Sequence, residues 1–201
     1  VSKIRLTPNT SGTGTVTLTV PSTSTDRTVT LPDETGTVIT TESTVLPKVP
    51  MFQVKLGSNQ TVSSGVNTKV QFDTEEYDTN NFFDSTTNYR LQPTIAGHYH
   101  ISCGIFVDVA GSTISNLTTA SFYFNGSSGN LGAGRVFLRN GTAGNESEAG
   151  GSSSFTVYFN GSSDYLEVFG YLTGGGTRSF LGSSTYKASY LNGFLLREGS
   201  I

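Results

Sequence analysis

The sequence predicts an all-β protein, a sandwich or jelly-roll head preceded by a short extended β-rich stem. Three observations predict it. Only 13% of the 201 residues are charged, while Gly, Ser, Thr and Asn are abundant, the composition of strands joined by tight turns. Apolar residues alternate with polar ones in short runs separated by turn signals, and no stretch keeps a 3.6-residue apolar period. Every Phe and Tyr lies at Phe52 or beyond, so the chain changes character near residue 50.

In the aromatic-free leader, Gly14-Thr-Val-Thr-Leu-Thr-Val20, Arg27-Thr-Val-Thr-Leu31 and Thr35-Gly-Thr-Val-Ile39 each alternate with period 2. They read as short strands broken at Pro21, Pro32-Asp33 and Gly36. One thin apolar face without large rings closes no core by itself, so residues 1–50 are expected to pair with neighbouring copies and to dock onto another protein. Pro47 and Pro50 stiffen the connection that follows.

Residues 51–201 read as the head. Strands are expected near 52–56, 69–72, 89–92, 98–109, 119–125, 135–139, 154–160, 165–172, 178–181 and 186–197. Regular short strands over this length fit a sandwich or jelly roll. On the longest one, Tyr99, Ile101, Cys103, Ile105 and Val107 share one side, and His98, His100, Ser102, Gly104 and Phe106 the other. One side serves the monomer core; the other is expected near a subunit contact. Tyr123-Phe-Asn-Gly-Ser-Ser128 and Tyr158-Phe-Asn-Gly-Ser-Ser163 are near-identical. Asn-Gly takes positive φ readily, so both are expected to be type I′ hairpins.

Composition also bounds function. Hydrophobic residues make up 34% of the chain, little for a domain that buries its core alone, which points to burial between subunits. The net charge of −3 and the lack of any Lys/Arg stripe argue against nucleic acid. A single Cys excludes an intrachain disulfide. No apolar run reaches the about 18–20 residues of a membrane span, and no signal-peptide pattern is read at the start. Neither a membrane nor a cofactor is expected.

Phe72, Asp78 and Phe83, with five and four residues between them, are followed by Gly97-His-Tyr99-His-Ile101. Near the end stand Gly161-Ser-Ser-Asp164-Tyr-Leu-Glu-Val168 and Tyr190-Leu-Asn-Gly193-Phe194-Leu-Leu196. In this order, over about residues 52–197, they resemble the globular head of the complement q-subunit, which shares the tumour-necrosis-factor-like jelly roll. Leu91 stands one residue out of step where that family has a Phe, Ile101 replaces an aromatic, and no collagen-like repeat precedes the head. The resemblance implies a homotrimer packed along a threefold axis, with Phe72, Phe83, Tyr99, Ile101, Phe194 and Leu196 as core or axis residues. Upstream, Gly14-Thr-Val-Thr-Leu18, Pro21, Arg27-Thr-Val-Thr-Leu-Pro-Asp33 and Thr35-Gly-Thr-Val38 resemble a motif of phage fibre and virion proteins, usually placed ahead of a distal knob.

Candidate chemistry is sparse. His98 and His100 share a strand face, but no acid or thiol joins them there, so a structural role is preferred to a metal site. Glu75, Glu76, Asp78 and Asp84 suit a hard cation in principle, yet lack the spacing of a calcium loop and read as a solvated acidic loop. Cys103, mid-strand, reads as a buried small hydrophobe. No nucleophile elbow or phosphate loop is present, so no catalytic residue is named. The expected function is a non-enzymatic virion protein, a tail or head fibre whose head attaches to the host surface, with a capsid decoration or cement protein as the alternative. The partners are then further copies of the chain, other virion proteins through the N-terminal segment, and a host glycan. Loops 80–88, 140–151 and 173–177 are the candidate ligand loops, and the first two carry the candidate ligand residues Asn81, Asn88, Asn140 and Asn145, polar groups suited to adaptable hydrogen bonding.

Overall fold

The computed structural model describes residues 10–15, 17, 22–26, 28, 48–108, 116–128, 136–138, 148–173 and 178–199. The chain divides into two compact units, Val1–Thr44 and Val45–Ile201. Within the first, Thr23 Oγ1 accepts the Thr25 N–H at 3.1 Å and donates to the Thr25 carbonyl at 3.3 Å. The strands expected in the leader lie mostly outside the described residues.

Among the described residues the second unit holds fourteen strands and no helix. They are β1 (Met51–Lys55), β2 (Gln60–Val62), β3 (Asn67–Lys69), β4 (Thr74–Asp78), β5 (Phe83–Asp84), β6 (Arg90–Leu91) and β7 (Gly97–Asp108). There follow β8 (Asn116–Phe124), β9 (Ser127–Ser128), β10 (Val136–Leu138), β11 (Glu148–Phe159), β12 (Leu166–Thr173), β13 (Arg178–Phe180) and β14 (Tyr190–Glu198). Two seven-stranded antiparallel sheets result. In the first, β7 pairs with β11 along its whole length on one edge, and with β14 and then β13 on the other. Beyond β14 lie β1 and, at the edge, β4, while β2 pairs with β13. The second sheet runs β10-β8-β12-β6-β5, with β3 also on β12 and β9 on β8. First and last strands of the unit, β1 and β14, are thus direct neighbours near the middle of one sheet.

The alternation of β7 governs the core. Tyr99, Ile101, Cys103, Ile105 and Val107 point inward and are at most 1% exposed; His98, His100, Ser102 and Phe106 on the other side are half-buried. Rings bridge the layers: Phe122 of β8 meets Phe155 of β11 at 4.5 Å, and Phe124 meets Phe159 at 5.5 Å. Phe83 stacks on Phe52 at 6.2 Å and meets the edge of Phe72 at 6.4 Å. Each buried Phe contributes roughly 2–3 kcal/mol, so a few rings replace many aliphatic side chains. Gly170 of β12 lies under the Phe180 ring of β13, where any Cβ would collide with the ring.

Three local expectations are corrected. The acidic cluster is not a free loop: Glu75, Glu76 and Asp78 belong to β4, a charged edge strand of the kind that resists further pairing. A register shift in the β1–β4 ladder leaves Glu76 unpaired in the backbone, and its carboxylate reaches Lys55 Nζ at 2.6 Å. Asn125-Gly126 does close a two-residue hairpin, with φ of 51° and 76° between paired Phe124 and Ser127. Asn160-Gly161 closes none, because β11 and β12 lie in different sheets and the turn carries the chain from one to the other. Finally, β11 starts at Glu148, since the small residues Gly150 to Ser154 extend the strand beside β7.

Candidate functional site

The outer side of the first sheet carries exposed apolar side chains whose rows the strand register traces. Cross-strand pairing aligns Met51, Phe194, His100 and Thr156 in one row, and Tyr77, Gln53, Asn192, Ser102 and Ser154 in the next. Tyr158 stands opposite His98. The histidines sit against rings, His100 at 5.5 Å from Phe194 and His98 at 5.2 Å from Tyr158. His98 Nδ1 is buried and has no hydrogen-bond partner among the described residues. Eight large hydrophobic side chains are exposed among the described residues, and five of them, Met51, Tyr77, Tyr158, Phe194 and Leu196, belong to this face. Such clustering on one face differs from the scattered exposure normal for a monomer.

The six packing candidates therefore separate. Phe72, Phe83, Tyr99 and Ile101 are buried in the core of the single chain. Phe194 and Leu196, 43% and 53% exposed, are not core residues but lie on the uncovered face. Tyr99 donates its hydroxyl to the Ile95 carbonyl at 2.9 Å, and burial, aided by the Glu198 charge, pushes its pKa up to about 12. Cys103 is fully buried and desolvation raises its pKa, which disfavours the thiolate that nucleophilic chemistry needs.

A polar cleft of about 290 Å³ opens beside β5 and β6, lined by Asn81, Phe82, Phe83, Asp84, Asn88, Arg90, Gln92, Thr94 and Ser162. Two candidate ligand residues, Asn81 and Asn88, are brought together here; Asn140 and Asn145 lie outside the described residues. Asx chemistry builds both walls. Asp84 accepts five hydrogen bonds: from Thr86 N–H and Oγ1 at 3.0 and 3.2 Å, Thr87 N–H at 2.9 Å, Asn88 N–H at 3.0 Å and Asn88 Nδ2 at 2.7 Å. The Thr87 N–H above all holds its pKa well below the usual carboxylate range. Opposite, Asn160 Oδ1 accepts the N–H groups of Ser162, Ser163 and Asp164 at 2.9 to 3.1 Å. Gln92 ties the walls together, donating Nε2 to the Ser162 carbonyl at 3.1 Å and accepting Arg90 Nη2 at 2.7 Å.

Arg90 is the cation of the cleft. Its guanidinium lies 4.5 Å from the Tyr165 ring centre. Asp84 and Arg90 are cross-strand partners, yet no ion pair joins them, because the carboxylate is committed to its own loop. Tyr89 just before it has φ of 49°, a left-handed conformation unusual for an aromatic residue. Sequence reasoning missed Arg90, Gln92, Thr94 and Ser162; the legible signal was Asp84-Ser-Thr-Thr-Asn88, an Asx-capped turn next to one of few arginines. Among the described residues, no three His, Cys, Asp or Glu side chains converge in a way that holds a metal ion.

No protein-family model and no curated protein sequence matches the chain. Solved structures do. Murine APRIL is 12% identical, with a TM-score of 0.50 over 74% of this chain and 100% of that one. Eiger TNF from S. frugiperda is 10% identical, with a TM-score of 0.49 over 76% of this chain and 96% of that one. Strand order, sheet pairing and the likeness to APRIL agree: the chain carries a tumour-necrosis-factor-like jelly roll.

Proposed function

We propose that this chain is a non-enzymatic, homotrimeric structural protein of a bacteriophage particle, a tail or head fibre whose jelly-roll head attaches to the host surface. The observation that carries the trimer is the uncovered face of the first sheet. Its inner side is buried in the core of the single chain, while its outer side leaves Met51, Tyr77, Tyr158, Phe194 and Leu196 exposed. The same face presented by further copies around a closing rotation removes all five from solvent at once. Native mass spectrometry of the intact chain tests it: a mass of three copies is expected, and a monomer at micromolar concentration overturns it.

The phage particle is supported by the leader's resemblance over residues 14–38, whose alternating Thr-Val-Thr-Leu runs need a covering partner. Residues 1–50 dock onto other virion proteins in this reading, and the head faces outward. Immunogold labelling of intact particles tests it. Label at a few projecting sites is expected, label following capsid symmetry moves the chain to a decoration role, and no label on any particle overturns the virion assignment. Host attachment falls to the polar cleft, where Asn81 and Asn88 meet Arg90 and Thr94.

A further inference from the structure

The geometry points to the cleft between the 81–94 segment and Ser162 as a site for one acidic sugar residue, its carboxylate on Arg90 and its hydroxyls on Asn81, Asn88 and Thr94. This rests on the attachment reading above and names the ligand chemistry it needs.

Size comes first. About 290 Å³ lies at the small end of the roughly 300–1,000 Å³ of small-molecule pockets, enough for a single ring and too little for a buried oligomer. The lining mixes buried apolar Phe82 and Phe83 with polar side chains, as a ring with one apolar side and several hydroxyls requires.

Charge comes next. Arg90 lies across the strand from a carboxylate and does not pair with it. Asp84 is occupied by five donors from its own loop, so it orders the wall rather than binding a ligand. Arg90 is instead fixed by the Tyr165 ring and by a single hydrogen bond to Gln92 Oε1. Its other N–H groups have no protein partner among the described residues. A planar guanidinium clamped in place with unused parallel donors matches a carboxylate in bidentate geometry.

The remaining polar groups fit hydroxyls. Among the described residues the Asn81 amide and the Thr94 hydroxyl find no hydrogen-bond partner, and Asn88 uses only its Nδ2, leaving Oδ1 to accept. Donors and acceptors of this mixed kind serve sugar hydroxyls, which both give and receive. The Asp84 loop fixes Asn88 and the Gln92 tie fixes Arg90 before binding, which lowers the ordering cost of capture.

The test is titration of the intact chain, followed by NMR or calorimetry, with methyl glucuronide, methyl galacturonide and N-acetylneuraminic acid. Methyl glucoside and methyl galactoside are the neutral counterparts. At least one acid is expected to bind with a Kd of about millimolar or better, and at least about tenfold tighter than the neutral glycosides, the size of a charge-assisted contact. Arg90→Gln is expected to abolish that preference, and Arg90→Lys to restore part of it. Thr94→Val, which leaves the Arg90 contacts to Tyr165 and Gln92 intact, is expected to weaken acids and neutral sugars alike. Acids no tighter than neutral glycosides, or a preference that survives Arg90→Gln in a folded protein, overturn the assignment. The same samples go onto arrayed bacterial surface polysaccharides. Binding there that ignores Arg90→Gln sinks the cleft and leaves attachment standing; acid-sugar binding with no polysaccharide bound does the reverse.

Discussion

Asn125 and Asp164, 39 residues apart, join the ends of the two near-identical Asn-Gly-Ser-Ser segments. Asn125 Nδ2 donates to Asp164 Oδ1 at 2.9 Å, and Asn125 Oδ1 accepts the Tyr165 N–H at 2.9 Å. The other oxygen of Asp164 accepts the Asn160 N–H at 2.9 Å. One carboxylate thus anchors the hairpin of the second sheet and the turn by which β11 leaves the first. Asp164→Ala removes both contacts and is expected to cost about 1–3 kcal/mol. Thermal unfolding reads this as a fall in Tm of several degrees, and an unchanged Tm defeats the anchoring role.

These two segments also mark what the sequence makes legible. Period-2 alternation over 98–109 was enough to place β7 within one residue at each end and to divide its side chains into two sides, because a half-buried strand writes its faces into the sequence; which side is inward is read from the structure. Tyr123-Phe-Asn-Gly and Tyr158-Phe-Asn-Gly are alike locally, yet only the first is a hairpin. In the second, Asp164, four residues after Asn160, accepts that residue's N–H, and the chain passes to the other sheet instead of folding back. Strand β4, Thr-Glu-Glu-Tyr-Asp, was illegible because an exposed edge strand has no apolar side to alternate. The cleft escaped for another reason: it joins residues 81–94 to Ser162 across the sandwich, and no pattern in one segment foretells that meeting.

Phe194 and Ile101 belong to opposite sides of the same sheet and give opposite signatures. Ile101→Ala empties a fully buried site and is expected to destabilise by about 2–5 kcal/mol in any assembly state. Phe194→Asp alters a side chain 43% exposed in the single chain. In a monomer such a change shifts stability within about 0.5 kcal/mol. At a threefold contact it buries three carboxylates together, so sedimentation should show dissociation. A variant that keeps its oligomeric mass and its Tm removes this face from the interface.

Cys103 is sealed in the core, and burial raises the pKa of its thiol. Reaction with a thiol reagent such as dithiobis-nitrobenzoate requires both access and thiolate. The native protein is expected to show no labelling over hours at pH 8, and one thiol per chain after denaturation in guanidinium. Rapid labelling of the native protein contradicts the inward placement of Cys103.

Asp84 sets the acid side of the stability profile. Hydrogen bonds from its own loop, the Thr87 N–H foremost and then those of Thr86 and Asn88, depress its pKa in the folded protein below the value of 3.8 expected of a free side chain. A depressed carboxylate contributes stability that is fully present above the unfolded pKa and disappears as pH falls through the folded one. Glu76 acts with the same sign through its hydrogen bond from Lys55, its window opening below 4.5. Asp84→Asn keeps the shape but replaces one acceptor oxygen by a donor facing the Asn88 side of the loop. The variant is expected to have a lower Tm than wild type at pH 7, with the gap closing as pH falls below about 4. Tm measured from pH 7 to about pH 2 checks both halves. A gap that stays constant across that range shows that the carboxylate's charge does not hold the loop.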